Sequence, residues 1–333
     1  MDTTLTPADV MTAVVSRRYG PPDSLEISLI PRPIPDAHEV LVRNHASVVT
    51  HAMAEARRGP LTARLYFGLT KPKWPVLGTN FAGTVTEIGP SVTRFAVGDR
   101  VAGINVADFG AHAEYVTASE HGVIITTPAG LTDIETVAVF DGSITALPFL
   151  RDGARLRAGQ TILINGAAGA VGSAAVQLAK HFGAHVTAVC STRNVAAVRA
   201  LGADHVIDYT AEDFTDARDT FDVVFDAVGR SSFARVRHSL TRDGLYLTTV
   251  PSLGILTRML WTSRFGRKKA AILFTGLAKP AEMARDLASL RELADQGALV
   301  PFTSSVHPVE EAAEAHRIVE AGHKRGSAVI TFL

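Results

Sequence analysis

Gly169 and Gly172, with Ala167 and Ala170 beside them, sit in the run TILINGAAGAVGSAAVQLAKHFGAHVTAVC, directly after an apolar strand-like stretch and directly before a helix-forming one. A turn of that kind gathers unpaired backbone N–H groups and the positive end of a helix dipole at one point, which makes an anion site. The segment Ala167-Ala168-Gly169-Ala170-Val171-Gly172 has the spacing of a dinucleotide-binding loop, with Ala in place of its first Gly. Ala167 keeps a small residue where the turn is tight. Gly169 lets the backbone approach a pyrophosphate, and Gly172 lets the helix lie close to the sheet. The competing reading is a strand-to-helix turn that holds no ligand.

The adenosine ribose of such a ligand reaches the tip of the next strand, about 20 residues on. That tip reads Cys190-Ser191-Thr192-Arg193-Asn194. A carboxylate there would hold the ribose hydroxyls of NAD and repel a 2′-phosphate, and this segment has none. Ser191, Thr192, Arg193 and Asn194 offer hydroxyls, an amide and a guanidinium, all of which suit a phosphate. The expected cofactor is NADP(H). Ser191 also fits as the N-cap of a helix starting near Arg193, and Arg193 also fits as a solvated surface charge.

A parallel sheet is needed to carry these residues, and the chain has the pattern for one. From about Pro128, strand and helix alternate. The expected strands are Thr161–Asn165, His185–Cys190, His205–Asp208, Asp222–Asp226, Gly244–Val250 and Ala270–Phe274; helices cover Val171–Phe182 and follow Arg193 and Ser231. Such alternation gives a doubly wound sheet of α/β class. From Met11 to Thr127 the runs MTAVVS, EVLVRNHAS, GTVTEI, DRVAGI, AEYVTA and GVIITT are separated by Pro and Gly, which indicates an all-β unit. Residues 1–10 read as a disordered polar tail. Beyond Thr275 come an amphipathic helix through Leu287, Leu290 and Leu293, a second over Ala312–Val319, and a closing strand SAVITFL.

Bulk properties exclude several partners. With 33 Lys plus Arg against 33 Asp plus Glu, the chain has no net positive field to hold nucleic acid or an anionic membrane. No apolar stretch reaches the roughly 18 residues of a membrane span, and a cytoplasmic location is expected. A single cysteine, Cys190, excludes an intramolecular disulfide and any multi-cysteine metal cluster.

The segments RYGPPDSLEI, EVLVRNHASV, PVLGTNFAGTVTEIGPSVTRFAVGDRV, AEYVTA, ITALPFL, LGADHVIDYT and GHKRGSAVIT, with the glycine loop among them, resemble the zinc-free quinone oxidoreductase branch of the medium-chain dehydrogenase/reductase superfamily in its usual order. The resemblance covers nearly the whole chain. It implies a GroES-like catalytic domain of residues 11–127 and 275–333 with a Rossmann domain of residues 128–274 inserted, and a cleft between them for the nicotinamide. Zinc-dependent relatives carry an early Cys ligand, a Gly-His-Glu motif and a four-cysteine lobe. Here Gly78-Thr79-Asn80 stands in place of Gly-His-Glu, and the twelve His have no ligand spacing, so no metal is expected.

The resemblance also implies roles for single residues. Thr145 matches the Thr that faces the nicotinamide, though a Thr early in a helix also fits as a cap. Tyr209 is similar to the Tyr lining the adenosine phosphate pocket, and Arg325 corresponds to an Arg near the same phosphate. The Lys that usually follows that Arg is Ser327. On the substrate side, Thr50-His51-Ala52-Met53 replaces the usual Asn-Pro-x-Asp, and Asn80 replaces an Asp. Thr50, Met53, Asn80 and Asp141 are candidate cleft residues, the last an acid where the family has a small apolar residue. His51 and Tyr66 are candidate proton donors to a developing enolate or alkoxide. The expected function is NADPH-dependent hydride transfer to a small quinone or α,β-unsaturated carbonyl. The alternatives are a zinc-free alcohol or aldehyde dehydrogenase and a non-catalytic NADPH-binding sensor or structural protein. Relatives pair strands like KKAAILFTG across a dimer axis, so a homodimer is expected.

Overall fold

The computed structural model describes residues 9–106, 108–322 and 324–332. Residues 1–8 of the expected tail lie outside the described residues, and Val10 already opens a strand. The short apolar runs form β1 (Val10–Val15), β2 (Glu26–Pro31), β3 (Glu39–Val49), β4 (Asn80–Ile88), β5 (Arg100–Ile104), β6 (Tyr115–Ser119) and β7 (Ile124–Thr126). β2 pairs only with β1 and leaves Ile27 and Leu29 exposed, so its pattern lacked a clean buried face.

Two helices, α1 (His51–Arg58) and α2 (Leu61–Phe67), correct the all-β expectation for this region. α1 starts because Thr50 holds extended geometry and its side chain accepts from the Met53 N–H; it stops at Gly59, whose φ is 63°. Both helices are about two turns long, too short for a 3.6-residue period to stand out in the sequence.

The next segment opens with α3 (Asp133–Pro148) and continues through β8 (Thr161–Asn165), α4 (Ala170–His181), β9 (His185–Cys190), α5 (Val195–Ala200), β10 (His205–Asp208), β11 (Phe221–Asp226), α6 (Phe233–Val236), β12 (Leu240–Thr248), α7 (Leu253–Arg264) and β13 (Lys269–Ile272). β8, β9 and β10 start and stop where the sequence puts them. β12 starts earlier than Gly244, and β13 ends before Phe274. After β13 come α8 (Pro280–Asp295), β14 (Thr303–Pro308), α9 (Ala312–Glu320) and β15 (Ser327–Thr331). Among the described residues no helix is long and apolar enough to cross a membrane.

The chain divides into two compact units. One runs to Asp141 and takes up Lys279–Asp295 and the chain from Pro301; the other comprises Gly142–Ala278 and Gln296–Val300. The division falls inside α3, between Asp141 and Gly142. In the first unit the sheet order is β14-β15-β3-β4-β5-β7, with β6 also on β3. The C-terminal β15 lies antiparallel to β3, Ala328 opposite Val49 and Thr331 opposite Ala46. Val40, Val42, Phe81, Val85, Val101 and Ile124 fill the core of this GroES-like unit. In the second unit the order is β10-β9-β8-β11-β12-β13, every neighbour parallel. A parallel sheet covered on both faces needs strands apolar on both faces, which is why the centres of these strands, ILI in β8 and VVF in β11, are uninterrupted apolar runs. The molecule is α/β: a GroES-like unit and a Rossmann-like unit.

Candidate functional site

β8 ends at Asn165, and the chain turns sharply at Gly166, whose φ is 80°. A Cβ on Gly166 would stand 2.4 Å from a Val228 methyl carbon, so both the turn and its packing require glycine. The tight position of the loop is therefore Gly166, not Ala167, which is fully buried one residue later. The Gly166 and Ala167 N–H groups donate to the Val189 carbonyl at 3.2 and 3.0 Å, tying the loop to β9. A Cβ on Gly172 would lie 2.1 Å from the Gly166 carbonyl oxygen, which explains the close seating of α4. Gly169 is different: its Cβ would meet only the Gly166 oxygen, at 3.5 Å. Protein packing does not demand glycine there, whereas close approach of a ligand does. No side chain caps α4, so the N–H groups of Ala170, Val171 and Gly172 in its first turn are left for an anion.

Two residues outside the expected set hold this loop. A Cβ on Gly142 would lie 2.0 Å from the Ala170 carbonyl oxygen, so α3 crosses the loop at Gly142. Thr145 follows one turn later, in the last turn of α3, which removes its reading as an N-cap. Asp226, fully buried at the end of β11, accepts from Asn165 Nδ2 at 3.0 Å and from the N–H groups of Val228, Gly229 and Ser231 at 3.2, 3.0 and 2.8 Å. The Tyr246 hydroxyl donates to it at 3.1 Å, and burial together with the Asp226 charge pushes the Tyr246 phenol pKa up. These bonds lock the turn after β11 against the residue preceding Gly166. The sequence signal was an aspartate closing an otherwise apolar strand.

At the tip of β9, residues Thr192–Asn194 form a single 3-10 turn. Ser191 occupies its N-cap position without a capping bond; its Oγ accepts from Asn194 Nδ2 at 3.2 Å. Thr192 and Arg193 are exposed. Tyr209 joins them through its N–H, which donates to the Cys190 carbonyl at 3.1 Å, and its ring is 52% exposed. The structure thus gathers the glycine loop, Ser191 to Asn194 and Tyr209 at one end of the parallel sheet. It adds an acid that sequence spacing missed: Asp208, whose carboxylate accepts from Thr210 N and Oγ1 at 2.9 and 2.7 Å, while Thr210 meets the Thr192 hydroxyl at 2.9 Å. Hydrogen bonds from Thr192 and Thr210 hold the Asp208 carboxyl below the usual carboxylate range. Buried Cys190 has its thiol pushed up to about 11 by burial and the Asp208 charge, so it is no nucleophile.

In the other unit the expected substrate residues separate. Met53, named as a cleft residue, is 3% exposed and packs with Ala56, Leu77 and Phe109, its Sδ accepting from the Gly78 N–H. Asn80 is likewise interior: its Oδ1 accepts from Thr79 Oγ1 and its carbonyl from Ser47 Oγ, both at 2.7 Å. Both are buried because one face of α1 and of β4 turns to the interior. Thr50 is the α1 cap. His51 opens α1 with its side chain exposed and Glu55 3.9 Å away. Tyr66 is 58% exposed and packs against Phe67 and Trp74. Asp141 accepts a 2.8 Å hydrogen bond from Ser327 Oγ. The unexplained acid and the missing Lys are therefore partners of one another. Arg325 is exposed, with its guanidinium 5.5 Å from the Phe302 ring centroid.

Comparison with known proteins agrees with this arrangement. Residues 36–129 match the family described as alcohol dehydrogenase GroES-like domain, and residues 201–330 that described as zinc-binding dehydrogenase. The mitochondrial NAD(P)H oxidoreductase RTN4IP1 of Mus musculus is 31% identical over 363 residues, spanning 99% of this chain and 91% of its own. A 2-methylene-furan-3-one reductase of Solanum lycopersicum is 36% identical over 226 residues, 65% of this chain and 56% of its own. The structure of the quinone oxidoreductase from Coxiella burnetii superposes with a TM-score of 0.84 at 28% identity, over 97% of this chain and 100% of that one. The chain belongs to the medium-chain dehydrogenase/reductase superfamily and has quinone oxidoreductase-like relatives. It is an oxidoreductase of a family that uses a nicotinamide cofactor.

Proposed function

We propose that this oxidoreductase passes a hydride from NADPH to a quinone or α,β-unsaturated carbonyl without a catalytic metal. The observation that carries the cofactor reading is the open place over Gly169 at the uncapped start of α4, beside a strand tip bearing Ser191, Thr192, Arg193 and Asn194. The first suits a pyrophosphate and the second a 2′-phosphate, with Arg193 as the countercharge. Tyr209 extends that pocket in this reading, and Thr145 faces the nicotinamide, which supplies the hydride when bound. Asp208 opposes a second phosphate, so the preference for NADPH depends on Arg193 outweighing it.

The substrate reading rests on Gly78-Thr79-Asn80, which has no imidazole, thiolate or carboxylate at the place where zinc relatives have a ligand. A saturated carbonyl would lack Lewis-acid help there, whereas an enone or quinone is already activated. Relatives named as a quinone oxidoreductase and as a furanone reductase support that class. β13 closes one end of the parallel sheet, and a homodimer through that edge is part of the proposal.

The test is NADPH and NADH oxidation with a panel of quinones, enals and saturated aldehydes. Arg193→Ala is expected to weaken NADPH by roughly 10- to 100-fold, the loss of a charge-assisted bond, and to leave NADH nearly unchanged. Equal losses for both cofactors overturn the NADPH assignment. Turnover confined to saturated alcohols and aldehydes overturns the substrate class.

A further inference from the structure

The first unit also gathers three metal-ligating side chains outside the residues proposed for catalysis. β3 and β6 run antiparallel, with Glu39 opposite Ser119. That register carries one step further, because the Glu120 N–H donates to the His38 carbonyl at 2.9 Å. A tight turn follows, closed by the Gly122 N–H on the Ser119 carbonyl, and it brings His121 round to the same face. His38 Nδ1 lies 3.2 Å and His121 Nε2 3.7 Å from the same oxygen, Glu120 Oε1, and the three ligand atoms all lie within 4.8 Å of one another.

Glu120 is not a loose surface acid. Its side chain is 1% exposed, and its other oxygen, Oε2, accepts from the Thr93 and Arg94 N–H groups at 2.9 and 3.0 Å. The carboxylate is thereby fixed in place and ionised, with Oε1 facing the two imidazoles. Both imidazoles are exposed, which leaves room for water to complete a coordination shell. Neighbouring ligands of a tetrahedral zinc ion stand about 3.3 Å apart, from bond lengths of about 2.0 Å. Two of the three separations here are already close to that value. A small rotation of either exposed ring closes the third. The opposing charge is Arg94, whose guanidinium bonds to the Glu120 carbonyl.

We propose that His38, Glu120 and His121 form a surface site for a divalent late first-row transition ion, Zn²⁺ being the reference case. Two neutral imidazoles and a carboxylate are the ligand set such ions select, whereas Mg²⁺ and Ca²⁺ prefer all-oxygen shells. The ion would tie the entry of β3 to the turn after β6.

The test uses the full chain, stripped with a chelator and titrated with ZnCl₂ in a calorimeter. The expected result is one ion per chain, bound at least tenfold more weakly by His38→Ala and by His121→Ala, and not measurably at this site in the double variant. Zn²⁺ is expected to raise the melting temperature of the wild type and not of the double variant. Both side chains are exposed, so the metal-free variants should melt with the wild type; Glu120→Gln would remove bonds that hold Thr93 and Arg94 and is the less informative change. His185→Ala, an exposed histidine elsewhere, serves as the control and should bind as the wild type does. Equal zinc binding by the wild type and the double variant, or no binding by the wild type, overturns the proposal.

Discussion

The glycine loop and the α1–α2 segment are both held by glycines that admit no Cβ, but they offer a ligand different things: the loop offers backbone, α1–α2 offers exposed side chains. Around Gly166, Gly142 and Gly172, backbone lies against backbone or side chain at distances that no Cβ tolerates. In α1–α2 the residues that could touch a substrate, His51 and Tyr66, are exposed side chains. The backbone that carries them is nonetheless fixed by the Thr50 cap and by buried Arg57, bonded to Gly20, His316 and Glu320. Gly59 and Gly68 fix it too, since a Cβ there would stand 2.2 Å from the Tyr19 ring and 2.3 Å from the Lys71 carbonyl oxygen. At the phosphate end the packed backbone is itself the presented group, so few substitutions survive; at the substrate end the support is fixed but the presented side chains, His51 and Tyr66, are free of packing that demands their identity. Chemistry can therefore vary at the second without disturbing the first.

The sharpest way to break this comparison lies within the loop itself. Gly172→Val should destabilise the second unit by about 4 kcal/mol or more, since the new side chain must displace backbone at Gly166 and Ala167. Gly169→Ala should leave stability within about 0.5 kcal/mol, yet weaken NADPH by tenfold or more if a pyrophosphate crosses it. Urea unfolding and cofactor titration of the two variants separate packing from binding. A Gly169→Ala protein that binds NADPH normally would remove the ligand reason for that glycine.

A second contrast is in pH response. Among the described residues the first unit buries two imidazoles completely, His112 and His316, whose rings meet edge to face at 5.9 Å. His112 Nε2 lies 3.1 Å from the Val48 carbonyl, and burial lowers its pKa to about 4; burial also lowers that of His316, with His112 and Arg57 adding to the effect. Both pKa values are depressed on folding, so the unfolded chain binds more protons. The stability they contribute is fully present above pH 6.5 and is lost as pH falls toward 4, by about 3 kcal/mol for His112 alone. His112→Gln keeps a donor for Val48 and should flatten the slope. A separate, lower window belongs to Glu120, held at about 2 chiefly by the Thr93 N–H: its contribution is present above its ordinary value of 4.5 and is lost toward 2. Urea midpoints that do not move between pH 7 and 5 would contradict the first window.

The same contrast governs what could be read beforehand. Buried parallel strands and phosphate turns are written as apolar runs and glycines, local in sequence, and β8 to β10 were legible to the residue. Gly166 was visible but passed over, because the loop spacing was aligned one residue late. Asp226 and Asp141 are illegible in role, since Asn165, Tyr246 and Ser327 reach them through sheet register or from a distant segment; Asp208 bonds to Thr210, two residues on, and lies outside the loop spacing. His38 and Glu120 are 82 positions apart, and only the β3–β6 pairing makes them neighbours. The interior place of Met53 depends on which face of α1 turns inward, which two turns of helix do not encode, and that of Asn80 on how the first residue of β4 meets the core.

The Asp141–Ser327 bond sharpens the comparison on the substrate side. Ser327 is buried, and its hydroxyl donates to Asp141 at 2.8 Å, with the Ala138 carbonyl at 3.4 Å as a longer alternative acceptor, so losing Asp141 leaves only the weaker bond and losing Ser327 removes the Asp141 donor. Asp141→Ala and Ser327→Ala should each cost about 1.5 kcal/mol, with a coupling of about 1 kcal/mol in the double-mutant cycle. KM should not change if Asp141 is a packing acid. A raised KM at unchanged stability would return it to the substrate cleft.

The smallest effect is expected where the side chains themselves are least constrained. Hydride addition to an enone leaves an enolate that takes a proton from a positioned acid or from water. A positioned acid contributes about 100-fold or more, with the protein excluding competing water. His51 and Tyr66 are both exposed, and His51 has an acidic neighbour, Glu55, rather than a buried partner to aim it. Water competes with either for the same position. His51→Ala and Tyr66→Phe should therefore lower kcat on enones by no more than about tenfold, with KM little changed. Quinones provide the control, because their reduced product is a stabilised, weakly basic phenolate that needs no strong acid; there the same variants should lose less than on enones. A loss near 100-fold on enones that spares quinones would assign the proton to the substituted side chain, and the α1–α2 segment would then be as exacting as the glycine loop.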